Sequence, residues 1–262
     1  MNELLRIRVA ALAHQMTAAT LDRLAAAVEA EQSIDGDTPA RISSQFPEAA
    51  VRHEVRSVLE AWIRTGEHEQ GMFAESMRSA AATVRWRDET ERSELVWSGP
   101  LPTGSHLRRT DEALLQVVRA AQVRISLVTF AAYRVATVAA ALREALHRGV
   151  EVRFFGETEG ASEGRLNRDA HQAFGAELSA KLQVYEWPRA LRGSETGARQ
   201  GLLHAKFALA DESTLFVSSA NLTESALEAN MELGVLLTGG ALPAAAAMHL
   251  DRLIAQGFLR PL

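Results

Sequence analysis

Between residues 202 and 234 the chain reads LLHAKFALADESTLFVSSANLTESALEANMELG. His204, Lys206 and Asp211 stand there as H-x-K-x4-D, followed by Ser219 and Asn221 as S-x-N, and by Glu232 two places after Asn230. Apolar Leu203, Ala205 and Phe207 alternate with the polar pair, the period-two pattern of a strand. That spacing predicts His204 and Lys206 on one face, about 7 Å apart. A neutral imidazole whose other nitrogen is fixed by an acceptor can attack phosphorus. An ammonium beside it can neutralise phosphate oxygens, and donors on Ser219 and Asn221 can bond the remaining ones. Glu232 opens the apolar run MELGVLL and is the expected acceptor for the second ring nitrogen of His204.

The cation is informative too. The chain has 26 Arg but only two Lys, at 181 and 206, so a lysine here points to a need for a compact ammonium rather than a planar guanidinium. Taken singly, each residue also has a structural explanation. A strand histidine can be a satisfied core group. Asp211, in the DES turn between two apolar runs, would steady a loop rather than touch phosphate. Asn221 would suit the N-cap of LTESALEAN. Taken together at one spacing, they read as a site.

The pattern H-x-K-x4-D-x6-[GS]-S-x-N, trailed by N-x-E, resembles the HKD signature of the phospholipase D superfamily. Ser218 stands where that family usually has Gly. Upstream, RISLVTFAAYRVATVAAALREALHRGVEVRFF is similar to the strand, helix and strand that precede the signature, and the resemblance covers roughly Leu95 to Leu262. It implies a two-step phosphodiesterase reaction with no metal and no cofactor. One histidine attacks to form a phosphohistidine, a second from another HKD motif protonates the leaving oxygen, and water then releases the phosphate. On that pattern His204 is the nucleophile. The other histidines, at 14, 53, 68, 106, 147, 171 and 249, lack the x-K-x4-D continuation. A two-histidine mechanism therefore predicts a homodimer pairing two copies of His204 across a twofold axis.

With 262 residues, the chain has material for one large or two modest domains, and its composition, 47% apolar and 23% charged, is that of a globular protein. The absence of cysteine excludes disulfides, thiolate chemistry and Cys-based zinc sites. No stretch is long and apolar enough for a signal h-region or a membrane span, so the expectation is a cytoplasmic protein with no membrane association. Residues 1–94 read as a helical N-terminal domain, with apolar stripes at Ile7, Val9, Leu12 and Met16, then Leu21, Leu24 and Val28, then Val51, Val55, Leu59 and Ile63. They hold 11 Arg against 16 acidic residues, so the whole formal net charge of −5 sits there. Residues 95–262 read as the catalytic domain, in which strands alternate with helices. Thr110 is the expected N-cap of TDEALLQVVRAAQ, and Gly149 the C-terminal cap of VATVAAALREALHR. The fold class is α/β: a phospholipase D-like mixed sheet flanked by helices, preceded by the all-α domain.

The loop WPRALRGSETGARQ leads directly into the H-x-K strand. Arg189, Arg192 and Arg199 on it could track a phosphate backbone, with Trp187 as a stacking surface. The first functional reading is therefore a nuclease, with DNA favoured as partner. The alternatives are a phospholipid-directed hydrolase or transferase, and a partner-binding subunit. A helical cap before one HKD unit, with LVWSGP at the join, is also similar to the phospholipase D-like DrmC proteins of DISARM anti-phage systems. That similarity implies phage defence and protein partners bound through residues 1–94.

Overall fold

The computed structural model describes residues 3–66, 69–133, 135–157, 174–193 and 201–262. The chain forms two compact units, Met1–Thr90 and Glu91–Leu262. No described helix is long and apolar enough to cross a membrane.

The first unit is built from α1 (Glu3–Gln15), α2 (Ala18–Glu29), α3 (Thr38–Ser43), α4 (Ala49–Arg64) and α5 (Gln70–Thr90). Thr17 caps α2, its hydroxyl accepting from the Thr20 N–H at 3.2 Å. The stripes close a core around Leu21, Leu24, Ile42, Leu59, Phe73 and Met77, and Trp62 stacks on Phe73 with centroids 4.5 Å apart. Two expected positions shift. On α1 the buried row is Leu5, Val9 and Leu12, and Ile7 is 59% exposed. On α4 the buried face is broader, taking in Val58 and Trp62, with Val51 and Ile63 only partly covered.

The second unit carries β1 (Arg92–Ser98), β2 (Arg108–Arg109), α6 (Thr110–Ala120), β3 (Arg124–Thr129), β4 (Ala132–Tyr133), α7 (Ala136–His147) and β5 (Glu151–Gly156). There follow α8 (Ala176–Ser179), β6 (Gln183–Glu186), β7 (Phe207–Ala210), β8 (Thr214–Ser218), β9 (Leu222–Thr223), α9 (Glu224–Glu228), β10 (Glu232–Thr238), α10 (Ala241–Ala255) and β11 (Arg260–Pro261). Among the described residues nine strands make one mixed sheet in the order β11-β6-β5-β3-β7-β8-β10-β1-β2, and β4 pairs with β9 apart from it. The β3, β5 and β6 strands run parallel, with α7 between β3 and β5, while β7, β8 and β10 are antiparallel neighbours. This is the mixed sheet expected from the sequence.

Period-two alternation sorts the two faces. Leu127, Ala208, Phe216 and Leu236 sit in register across four strands and pack with buried residues of α6, α7 and α9. On the other face Leu209 and Leu215 meet Ala247, and Val128 and Phe155 meet Leu250, both partners on α10. Gly149 ends α7 as expected, at φ +85°. Its N–H donates to Leu146 O and the N–H of Val150 to Ala145 O, both at 3.0 Å, which is a Schellman closure that favours glycine. Gly234 answers to space instead: a Cβ there would lie 2.7 Å from the Phe216 ring and 2.8 Å from the Val217 carbonyl. Thr110 departs from expectation. Arg109 occupies the N-cap position, and Thr110 is fully buried with its hydroxyl unpartnered.

Candidate active site

His204 and Lys206 do not lie within a strand. The regular ladder of β7 begins at Phe207, and the pair occupies the extended segment leading into it, still tied to β8 by the Ser218 N–H donating to Lys206 O at 3.2 Å. The side chains nevertheless converge. The Lys206 ammonium lies 3.2 Å from Nδ1 and 3.4 Å from Nε2 of His204, and donates to the His204 carbonyl at 2.9 Å. His204 is exposed and Lys206 half-buried. Burial lowers the pKa of Lys206, with the negative charge of Glu232 acting in the opposite direction.

Phe130, just past β3, is a neighbour that the sequence reading missed. Its ring centroid is 4.8 Å from the imidazole of His204, and the Lys206 ammonium stands 5.9 Å from it. The register explains why: Val128 pairs with Phe207, which carries Phe130 towards Ala205. Only the end of the apolar run RISLVTF signalled it.

Ser219 and Glu232 meet directly, the Ser219 hydroxyl donating to Glu232 Oε2 and accepting from the Leu233 N–H at 3.2 Å. The other carboxylate oxygen accepts from Asn230 Nδ2 at 3.4 Å. Glu232 thus holds Ser219 and Asn230, and the expected bond to the ring of His204 is not formed within this chain. Asn221 is not the helix N-cap, since the Thr223 hydroxyl caps α9 by accepting from the Ala226 N–H at 3.2 Å. Instead Asn221, Lys206 and Ser218 line one small cavity of about 30 Å³, and the Asn221 amide oxygen is buried without a partner.

Asp211 stands apart from this group. It follows β7 at the end away from His204, five residues beyond Lys206, which is roughly 16 Å of extended chain. It adopts left-handed backbone, φ +53°, which aspartate tolerates in turns. Its Oδ1 accepts from the N–H groups of Val123 (2.9 Å) and Arg124 (2.8 Å), and its Oδ2 from that of Gln122 (3.0 Å). Partial burial acts to raise its pKa, but the N–H groups of Arg124, Gln122 and Val123 outweigh this and hold it below the usual aspartate range. The motif aspartate is thus a strap between the β7–β8 turn and the start of β3.

The arginine loop is also revised. Arg192 is not a surface cation, since its side chain is 1% exposed and pairs with Glu157, 0% exposed, at 3.0 Å. The guanidinium also donates to the carbonyls of Trp187 (2.8 Å from Nε) and Gly201, while Glu157 Oε1 accepts from the Leu203 N–H next to His204. Burial of this order needs such pairing. Trp187 is half-buried under Arg192, whose guanidinium carbon stands 5.3 Å from the ring centroid. Arg189 is exposed, in a short 3-10 turn, and Arg199 lies outside the described residues. Glu157 was missed by the sequence reading; its only signal was an acid directly after the apolar strand VEVRFFG.

Residues 114–254, more than half of the chain, match the family described as cardiolipin synthase, PLD-like domain. The chain belongs to this phospholipase D-like family, and with it to a superfamily of phosphodiesterases. Solved structures similar to it include NucT from Helicobacter pylori, at 19% identity and TM-score 0.49, covering 63% of this chain and 96% of that one. Nuc from Salmonella typhimurium, a phospholipase D family member, is similar at 18% identity and TM-score 0.45, with 66% and 98% covered. Phosphatidylserine synthase from Haemophilus influenzae is similar at 13% identity and TM-score 0.46, with 72% and 47% covered. No curated protein matches the chain.

Proposed function

We propose that the chain is a metal-independent phosphodiesterase that cuts DNA through a phosphohistidine on His204, and that it serves anti-phage defence. The observation that carries the chemistry is the Lys206 ammonium resting against both ring nitrogens of His204. The ammonium is within hydrogen-bonding distance of whichever ring nitrogen carries the attacking lone pair. An arriving phosphate draws it to the non-bridging oxygens and frees that nitrogen, so charge neutralisation and nucleophile release become one event. Asn221 lines the same cavity as Lys206, and its Nδ2 is a donor that suits a second contact to phosphate.

His204 then bonds to phosphorus as the bond to the leaving oxygen breaks. That oxygen takes a proton from a second imidazole, which next deprotonates the water that releases His204. The proposal assigns the second imidazole to another copy of the chain. Leu95, Val217 and Leu233, on one face of the sheet by register, are 54%, 45% and 51% exposed, and Leu233 borders Ser219. Apolar area of this kind beside the site supports pairing of two copies there. The defence role rests on the resemblance of the whole layout to DrmC proteins, with partners bound through residues 1–94.

The test is incubation with labelled single-stranded and duplex DNA in excess EDTA, beside His204→Ala. Cleavage by the wild type alone is expected, with the variant down at least a thousandfold. Equal cleavage by both proteins, or cleavage that EDTA abolishes, overturns the proposal.

A further inference from the structure

A second cavity, of about 340 Å³, opens beside His204 on the α10 face of the sheet. Its floor is aliphatic, including buried Leu203, Leu250 and Leu259. Its walls carry the flat rings of Trp187, Phe207 and Phe258, and His204 and His249 are its imidazoles. Trp187 is held in place as a wall. Arg192 lies over its ring, and at Gly201 a Cβ would stand 2.9 Å from the indole, so only glycine lets the chain pass this close. The loop tryptophan is therefore no free stacking surface, but a fixed side of a cavity that begins at the candidate nucleophile.

Any group in this cavity lies next to the atom that attacks phosphorus, so it belongs to the substrate and hangs close to the scissile phosphate. In a nucleic-acid strand the group at that distance is the neighbouring base. Rigid π faces suit a planar ring, and the His249 imidazole and the indole N–H can meet its polar edge. A base inside a duplex is stacked and paired, and reaches a side pocket only after leaving the stack.

We propose that this cavity receives one unpaired base flanking the scissile phosphate, which makes the substrate single-stranded or locally opened DNA. The inference rests on the DNA phosphodiesterase reading and adds the strand state to it. Leu253 lines the cavity half-buried, and Leu253→Trp fills it. Phe258 is 45% exposed, and Phe258→Ala removes a wall with little demand on folding.

Two measurements test it. In the first, wild type and both variants cleave a single-stranded oligonucleotide, its duplex, and a single strand with one abasic site walked past the cut. In the second, oligonucleotides carrying 2-aminopurine are titrated into the His204→Ala background, with and without each cavity variant, which reads base burial without turnover. The expected result is single-strand cleavage at least tenfold faster than duplex. An abasic site at one position, and each variant, should cost on the order of ten- to a hundredfold. The 2-aminopurine signal should change at that same position and be lost in both variants. Equal cutting of single strand and duplex, with no position sensitive to base removal, overturns the cavity assignment and leaves the phosphodiesterase standing. If no DNA is cut but phosphatidylglycerol vesicles are hydrolysed, and Leu253→Trp blocks this, the cavity holds an acyl chain and both readings fall.

Discussion

Replacing Asp211 separates what the H-x-K-x4-D motif suggests from what the geometry assigns. Asp211→Ala removes the acceptor for three backbone N–H groups, those of Gln122, Val123 and Arg124. A hydrogen bond to a charged group contributes about 1.5–3 kcal/mol when its loss leaves the donor unsatisfied. Gln122 and Val123 are exposed, so water takes over those two donors at small cost, while Arg124 is half-buried. Alanine also fits φ +53° poorly. The expected loss is about 2–4 kcal/mol, or roughly 5–15 °C in the melting of the second unit. Asp211→Asn keeps the left-handed turn and one acceptor oxygen, and should lose about half as much. Because the folded carboxyl is held below its unfolded value, its contribution is present above the unfolded pKa of about 3.9 and vanishes as pH falls through the folded pKa. The gap between wild type and variant should therefore narrow as pH falls below about 4, leaving the backbone part of the loss. Turnover per folded molecule should be unchanged within about threefold, measured by phosphodiester cleavage at 25 °C beside thermal denaturation followed by circular dichroism. A variant that melts like the wild type but has lost a hundredfold in rate refutes the assignment.

Two further outcomes follow from the site. Glu157→Gln removes the charge of a buried carboxylate that pairs with Arg192, which should lower stability by about 3–5 kcal/mol; chemical denaturation reads this, and an unchanged midpoint sinks the importance of that pair. Lys206→Arg keeps the charge but spreads it over a planar guanidinium that cannot take the place of a compact ammonium against His204, so the rate should fall on the order of a hundredfold. Because burial lowers the Lys206 pKa, the alkaline limb of the wild-type pH–rate profile should lie below that of a free lysine, and the residual activity of the arginine variant should lack it.

What could be read in the sequence was local. His204 and Lys206 are two residues apart, and an extended backbone brings them together whether or not a ladder forms around them. The Gly149 cap and the alternation sorting Ala208 from Leu209 are equally short-range. Some misreadings are local, as at α6 and α9, where Arg109 and Thr223 take the cap positions expected of Thr110 and Asn221, but the partners that were not legible lie far off in sequence. Asp211 steadies its turn through donors 87 to 89 residues earlier, which the turn itself does not announce, and Arg192 pairs with a carboxylate 35 residues before it. An arginine in a Gly- and Ser-containing loop carries no mark of burial, because the carboxylate it pairs with stands just past β5. Glu232 was paired with the wrong neighbour for a related reason: the β8–β10 register, which is not written locally, brings Ser219 to it first.

The two margins of the nine-stranded sheet have a bearing on how copies of the chain can associate. One margin is Arg108–Arg109 and the other Arg260–Pro261, each only two residues long. The arginine margin is short and holds its charges in ion pairs with Glu94 and Asp111, and Pro261 has no N–H to offer. Neither margin can template a continuous sheet running from one molecule into the next, which is the route to uncontrolled aggregation. Self-association is thereby steered to the broad faces, so a symmetric pair can form while the sheet itself stays finite.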